Sequence, residues 1–543
     1  MGRVKKLNID ADEKERKRKK DEEEFNFYSM KKHISKEQEY DGIEENKTHD
    51  NEDMNYFCKL EIHYTLIDES NNFIRLFGAE FYKRNKTHND LFKLMIDNQQ
   101  KELCEFFEIP KGTFKNKTVI IYLIIEKNVQ DLSYMFAECK ELNYIVGLDK
   151  LINNKVTNVS NFFLNCTSLK IVNNLRDCIT SSVYDMSSMF RGCSSLNSLS
   201  AISKWDTENV TDMSSMFYDC NNLQHLNLDK WNTSNTKYFS GMFYGCHKLK
   251  SLKSISNFNF SSSIDLSLMF YDCEKLEELP NMSNWDIKKV KSIKGMFYGC
   301  KSIKELKGIE NWSTLSLTDI SSLLYECESL NIIPDIFSKW YTGNLVDTSN
   351  LFYGCKNLNF SNLSFEKLDL SNVENISGMF YECENLEEIE FFTKIKNLKD
   401  TSFLFYNCIK LKKLPVKLEF NTNNLSEVKG MFYNCKSLEH LPDLSDWNFN
   451  NVKNMSFMFF GCEKIKEIPK QFNDIDLMKD KDLRYLKYNC KNLNEENFFF
   501  DQDTNEKYKN EGIKDIKKDC RTNKSLENYI NINLSFNTIK ICD

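Results

Sequence analysis

The chain has 543 residues, 41% hydrophobic and 28% charged, too apolar a mix for a wholly disordered protein. Its formal charge of −7 leaves no global basic field for nucleic acid or an acidic membrane. Glycine (17) and proline (6) are too scarce for collagen-like or linker-rich classes, and the 19 cysteines include no CxxC of the zinc-ribbon or thioredoxin kind.

Residues 1–53 carry dense mixed charge, with KERKRKK at 14–20 followed by DEEE at 21–24. Few apolar residues accompany them, so a disordered tail is expected. The basic run is a candidate import signal or anionic-surface tether, weighed against plain solvation of adjacent opposite charges. The first twenty residues hold no apolar stretch, so no secretory leader is expected, and Lys6 stands where myristoylation needs Ser or Thr. Residues 54–128 do not repeat. Alternating or apolar stretches at 59–67, 72–77, 90–96 and 118–125 predict strands, and hence a small β-rich cap. The longest apolar run, 119–125, falls far short of the roughly 20 residues that span a bilayer.

From 129 to 496 the chain repeats. Cysteine recurs at 139, 166, 193, 220, 246, 273, 300, 327, 355, 383, 408, 435, 462 and 490, a mean period of 27. With each cysteine as position 0, position −3 is Phe in 12 of 14 units, and +3 is Leu or Ile in all 14. Position −4 is always large and apolar, and −6 is Ser in 11 units. All six tryptophans (Trp205, Trp231, Trp285, Trp312, Trp340, Trp447) sit at −15, which a shared structural slot explains and chance does not. Positions −7, −4, −3, 0 and +3 share one face at the 3.6 period, so the MFxxC stretch predicts a short helical turn. Asp or Asn at −8 and Ser at −6 are its capping candidates. The segment from +3 to about +8 predicts a short strand. One such unit cannot bury its own apolar face; stacked copies can. The expected fold is therefore a repeat solenoid of fourteen coils behind the β-rich cap. At the far end Lys487 and Glu496 replace core residues, so 497–543 is expected to be a degenerate terminal cap. Within it, 513–534 could form a stretched fifteenth coil: Ile513, Ile516 and Cys520 keep the −7, −4 and 0 slots.

The unit V-x-x-M-S-x-M-F-x-x-C-x-x-L-x-x-L, best seen at 209–226, resembles the BspA-like class of leucine-rich repeats, the DUF285 type. The resemblance covers about 129–496 and implies a solenoid used for protein binding. Bacterial members are often surface or secreted adhesins, and the Asn/Lys-rich composition resembles protist members. With no leader or membrane span in the sequence, the expectation is an intracellular, cytoplasmic scaffold or adaptor. A surface or secreted adhesin that binds host or extracellular-matrix protein is the alternative.

Candidate chemistry is sparse. The cysteine column reads as free buried thiols, with inter-coil disulfides as the competing reading. Phe190, Cys193, Phe217, Cys220, Phe243, Cys246, Phe270, Cys273, Phe297 and Cys300 form the expected core ladder. The seven histidines are scattered, and no GxGxxG, GxxxxGK[ST] or GxSxG appears. No catalytic residue, cofactor, metal, nucleic acid or small-molecule substrate is therefore expected, only a protein partner. Position −2 is Tyr in 10 of 14 units. Tyr218, Tyr244, Tyr271, Tyr298, Tyr325, Tyr353, Tyr381, Tyr406 and Tyr433 cannot share the core face and should lie on the flank or outside. They are either a binding stripe or a set of rings that stack on one another. The polar residues beside the strand, such as Gln224, His225, Glu277 and Glu387, are the other candidate surface.

Overall fold

The computed structural model describes residues 57–66, 73–88, 90–109, 118–172, 174–390 and 394–493. The tail at 1–53 with its basic run, the terminal cap at 497–543, the possible fifteenth coil, Cys520 and Cys542 lie outside the described residues.

The cap is built on alternation. In β1 (Cys58–Thr65) Cys58, Leu60, Ile62 and Tyr64 are buried and their neighbours are not, the period of a half-buried strand. β1 pairs antiparallel with β6 (Thr118–Ile125) from Cys58–Ile125 to Thr65–Thr118, and β6 pairs in turn with β3 (Phe92–Ile96). β2 (Phe73–Arg75) and β5 (Phe106–Glu108) form a separate two-stranded sheet. The larger sheet runs β4-β3-β6-β1-β7-β8, where β4 is Gln99–Lys101, β7 is Leu142–Val146 and β8 is Ile171–Val172. β7 and β8 belong to the first two coils, so the cap's sheet continues into the solenoid. The chain turns from antiparallel pairing (β1–β7) to parallel pairing (β7–β8) at that point. A helix absent from the sequence expectation, Ala79–Asn85, lies between β2 and β3. Its Arg84 pairs with Asp131 and donates to the Ser133 carbonyl at 2.6 Å, which ties the cap to coil 1.

The solenoid stands, but the expected helical turn does not. The MFxxC stretch is a ribbon of overlapping turns. Amides at −4, −2, 0 and +3 bond three residues back, as in Met189→Met186 (3.3 Å), Arg191→Ser188 (3.1 Å), Cys193→Phe190 (3.0 Å) and Leu196→Cys193 (3.1 Å). The alternate amides, at −7, −5, −3 and −1, point along the coil axis. Met186, Ser188, Phe190 and Gly192 donate to the carbonyls of Asp212, Ser214, Met216 and Tyr218 in the next coil at 2.7–3.0 Å. A helix cannot make both sets, because its amides all run parallel to its own axis. The ribbon needs positive φ at −5 and −1, as at Ser215 (55°) and Asp219 (56°). The third residue of a type II turn has the same requirement. Three-residue turns and 3.6-residue helices bury nearly the same positions, which is why the burial pattern suggested a helix.

The strand also moves. From coil 3 onward the segment after +3 shows only scattered bridges, such as Ser198–His225 and Ser251–Glu278. The continuous parallel ladder lies at −8, from Asp131 through Asn158, Asp185 and Asp212 to Asp482, one bridge per step. There the Asp or Asn does cap. Asp185 Oδ1 accepts the Ser187 amide at 2.9 Å, and Asp319 does the same for Ser321 at 2.9 Å.

Candidate interaction columns

Because each coil stacks on the last, every position becomes a column, and each column has its own chemistry. The core ladder is fully buried: Phe190, Cys193, Phe217, Cys220, Phe243, Cys246, Phe270, Cys273, Phe297 and Cys300 are all 0–1% exposed. Its Phe rings stack nearly parallel, 5.5–6.0 Å apart from Phe163 to Phe297. The thiol's role is finer than filling space. In thirteen coils the Cys Sγ–H donates to the position −3 carbonyl of the preceding coil at 2.9–3.2 Å, from Cys166→Phe136 to Cys490→Phe459. The −3 carbonyl already accepts the amide of its own Cys, so the sulfur fills its second lone pair. A small apolar donor fits that slot; valine cannot donate. Burial pushes these thiols up, so they are poor nucleophiles. All seventeen described cysteines are free.

The tryptophans at −15 are 2–6% exposed. Trp205 Nε1–H donates to the Leu175 carbonyl at 2.6 Å, and Trp231 to Ile202 at 3.0 Å, each bridging to the preceding coil. Two residues later Thr at −13 donates the other way, as Thr180→Asp206 at 2.8 Å and Thr207→Asn232 at 2.9 Å. The W-D/N-T motif is thus a two-way clamp between coils. The frequent Asn-x-Ser sequences are Asx turns in the same sense: Asn281 accepts the Ser283 amide at 3.0 Å and Asn359 that of Ser361 at 3.0 Å.

The tyrosines lie on the opposite side of the ribbon from the core, on the flank. They do not project into solvent. Tyr218, Tyr244, Tyr271, Tyr298, Tyr325, Tyr353, Tyr381, Tyr406 and Tyr433 form one unbroken stack with centroids 4.0–4.3 Å apart and planes within 10°. Arg191 lies over the first ring at 4.3 Å, and Phe460 continues the stack at 4.6 Å. Bulky residues at −5 pack against the column, including Leu268, Phe403 and Phe457, all at positive φ. A β-carbon on Gly430 would sit 2.7 Å from the Phe403 ring, so glycine at −5 of one coil makes room for the bulky −5 of the coil before. Position −1 follows the same rule: a β-carbon on Gly299 would meet Asp272 Oδ1 at 2.0 Å. The carboxyls this places beside the phenols are raised by burial, Asp272 to about 6, with Asp219 and Glu326 shifted in the same direction.

Exposed columns vary from coil to coil. At +4 and beyond, opposite charges meet across coils, as in Lys412–Glu387 and Lys413–Glu390, both 2.8 Å. The outer column at −9 (Tyr184, Thr211, Lys237, Ile264, Lys291, Thr318, Val346) is different. Together with Leu315 and Tyr341, three and five residues before the column in their own coils, it presents apolar side chains 37–60% exposed. A cleft of about 400 Å³ that the sequence did not suggest lies where cap meets coil, lined by Phe73, Arg75, Phe106, Glu138, Lys140 and Glu141. Among the described residues no three acidic, His or Cys side chains are grouped to hold a metal, and no helix is long and apolar enough to cross a membrane.

A family model described as "Mycoplasma protein of unknown function, DUF285" matches at 114–174, 157–279, 229–306, 265–393 and 388–499, more than half of the chain. The chain belongs to the DUF285 family, the BspA-like class of leucine-rich repeats. Two solved structures are similar to this DUF285 chain. One is a leucine rich cell surface protein from Faecalibacterium prausnitzii A2-165, 15% identical, covering 70% of this chain and 85% of that one at a TM-score of 0.33. The other is the TLR13–ssRNA13 complex, 14% identical, covering 63% and 60% at a TM-score of 0.19. No curated protein matches.

Proposed function

We propose that this DUF285 chain is a non-catalytic scaffold or adaptor that binds a protein partner along an extended face of the solenoid. The observation that carries the reading is the division of labour between columns. Inward positions repeat the same few side chains, while outward positions vary along the array and build one continuous surface. The face we favour is the −9 column with Leu315 (60% exposed), Tyr341 (50%), Val346 (44%) and Ile264 (37%). Exposed apolar side chains set among lysines have the make-up of an interface core and rim. The +4 face neutralises its own charges. In the tyrosine stripe the neighbouring rings already cover one another's faces, so only edges and hydroxyls are left for a partner.

The test is affinity purification with the intact chain and with a Leu315→Ser, Tyr341→Ser, Val346→Ser variant. All three side chains are exposed, so the fold should survive. Loss of the partner supports the reading; retention of the same partner at the same yield contradicts it. Protease shaving of intact cells tests the location independently. Loss of the protein on shaving would replace the intracellular scaffold with the surface or secreted adhesin-like alternative.

A further inference from the structure

The tyrosine column offers more than packing. Nine phenols in face-to-face contact, each 4.0–4.3 Å from the next, run eight steps without a break, about 33 Å in all. The rings leave the same position of successive coils in parallel planes, and neighbouring phenols act on one another electrostatically, as Tyr271 does on Tyr244 and Tyr298 on Tyr271. Tyr325 to Tyr406 form a shielded run, with Tyr325 3% and Tyr381 4% exposed, while Tyr218, Tyr244, Tyr298 and Tyr433 are only half-buried. Asp219, Asp272 and Glu326 lie close enough to act on the phenols electrostatically. An unbroken row of oxidisable rings in face-to-face contact, shielded from Tyr325 to Tyr406 and reachable at both ends, with carboxyls beside it, has the parts of a conduit.

We propose that the tyrosine column relays one-electron oxidising equivalents along the coil axis. It would take them from a strong one-electron oxidant, such as a ferryl haem or a peroxyl radical, and deliver them to a reductant such as a thiol or ascorbate. At entry the oxidant gains one electron from a terminal phenol. The O–H bond breaks, the proton passes to a neighbouring carboxylate or to water, and a neutral tyrosyl radical remains. Each internal step moves one electron and one proton from an intact phenol to the adjacent radical, so the two exchange identity with no net chemistry. At exit the reductant supplies an electron and solvent supplies a proton, and the phenol is restored. Because donor and acceptor are alike at every internal step, that step has almost no driving-force penalty. Phe460 interrupts the row of oxidisable rings at the far end, so the path runs from Tyr218 to Tyr433.

The experiment is flash photolysis of the purified full chain. A ruthenium tris-bipyridyl group is tethered at Lys436→Cys, an exposed position beside Tyr433, with Cys104, Cys490, Cys520 and Cys542 changed to Ser; a cobalt(III) pentaammine quencher in solution takes one electron from the excited complex and leaves the Ru(III) oxidant. 3-Aminotyrosine replaces Tyr218 as a radical trap, read by electron paramagnetic resonance. The relay predicts an aminotyrosyl signal at 218 after the flash, cut at least tenfold by Tyr325→Phe, which keeps the ring but cannot be oxidised there. With the trap moved to Tyr406, one step from the oxidant, both chains should give the signal, which assigns the loss to the break at 325. Equal yields at 218 with and without Tyr325→Phe would overturn the proposal. So would the absence of a signal at 218 in a chain that gives one at 406.

Discussion

Phe297 and Tyr298 are neighbours in sequence and lie on opposite sides of one ribbon. Both belong to aromatic columns, but the columns are built differently. Phe297 is 1% exposed and stands 5.5 Å from Phe270, with Met, Cys and Leu side chains filling the remaining space. Tyr298 stands 4.1 Å from the rings on both sides, and its neighbours are chiefly its own kind. The inner column is a mixed core in which many side chains share each void. The outer column is a single file. Repetition alone therefore produces two kinds of order, and they should fail differently.

The largest effect is expected at the inner column. Phe297→Ala removes a ring from a packed interior and should cost about 3–5 kcal/mol in denaturant unfolding of the full chain. Tyr298→Ala removes one ring from a stack whose outer edge is partly open, so about 2 kcal/mol is expected, enough to show that the flank is not mere surface. Equal losses would erase the distinction between the columns. Cys300→Ala should cost about 1–2 kcal/mol, from a lost Sγ–H donor and a small cavity. In the native chain at pH 8, iodoacetamide should leave the twelve buried carbonyl-bonded thiols from Cys166 to Cys462 unmodified; rapid alkylation there would contradict their burial.

A smaller effect with a definite sign comes from Asp400, whose carboxyl is raised to about 6, first by burial. A carboxyl raised above its unfolded value, near 4, binds its proton more tightly when folded. Stability from this group is therefore highest below about pH 4 and declines as pH rises through 6. Asp400→Asn keeps the cap to Ser402, as Asn375 does for Ser377 at 2.9 Å. It should stabilise the chain at pH 7 by about 1 kcal/mol and gain nothing at pH 4, as read from unfolding midpoints at the two pH values. The smallest effect, under about 0.5 kcal/mol, is expected for Tyr298→Phe, which leaves the stack intact.

The period, the inward columns and the solenoid were legible because burial repeats as side-chain identity. Trp at −15 and Cys at 0 could be placed without coordinates. The turn ribbon was not legible from periodicity, since turns of three and helices of 3.6 bury the same positions. A signal was nonetheless present in composition. Nine of the 17 glycines stand at just two columns: Gly241, Gly295, Gly378 and Gly430 at −5, and Gly192, Gly245, Gly299, Gly354 and Gly461 at −1. Asn165, Asn407, Asn434 and Asn489 share the second, all at positive φ. Residues that tolerate positive φ at a spacing of four argue against a helix. The sulfur–carbonyl bond and the closeness of the tyrosine stack depend on where backbone carbonyls and rings fall in the neighbouring coil, which one coil's sequence does not encode. The cap's β1–β7 pairing is non-local in the same way.

The central claim is that the ribbon, with amides alternating between its own turns and the next coil, holds the solenoid together. Amide hydrogen exchange tests it residue by residue. Ser215, Phe217 and Asp219, which donate to the next coil at 2.7–2.9 Å, should exchange only on global unfolding, as should their counterparts in other internal coils. Exchange of these amides as fast as that of Lys248 and Lys275, exposed residues at +2, would contradict it.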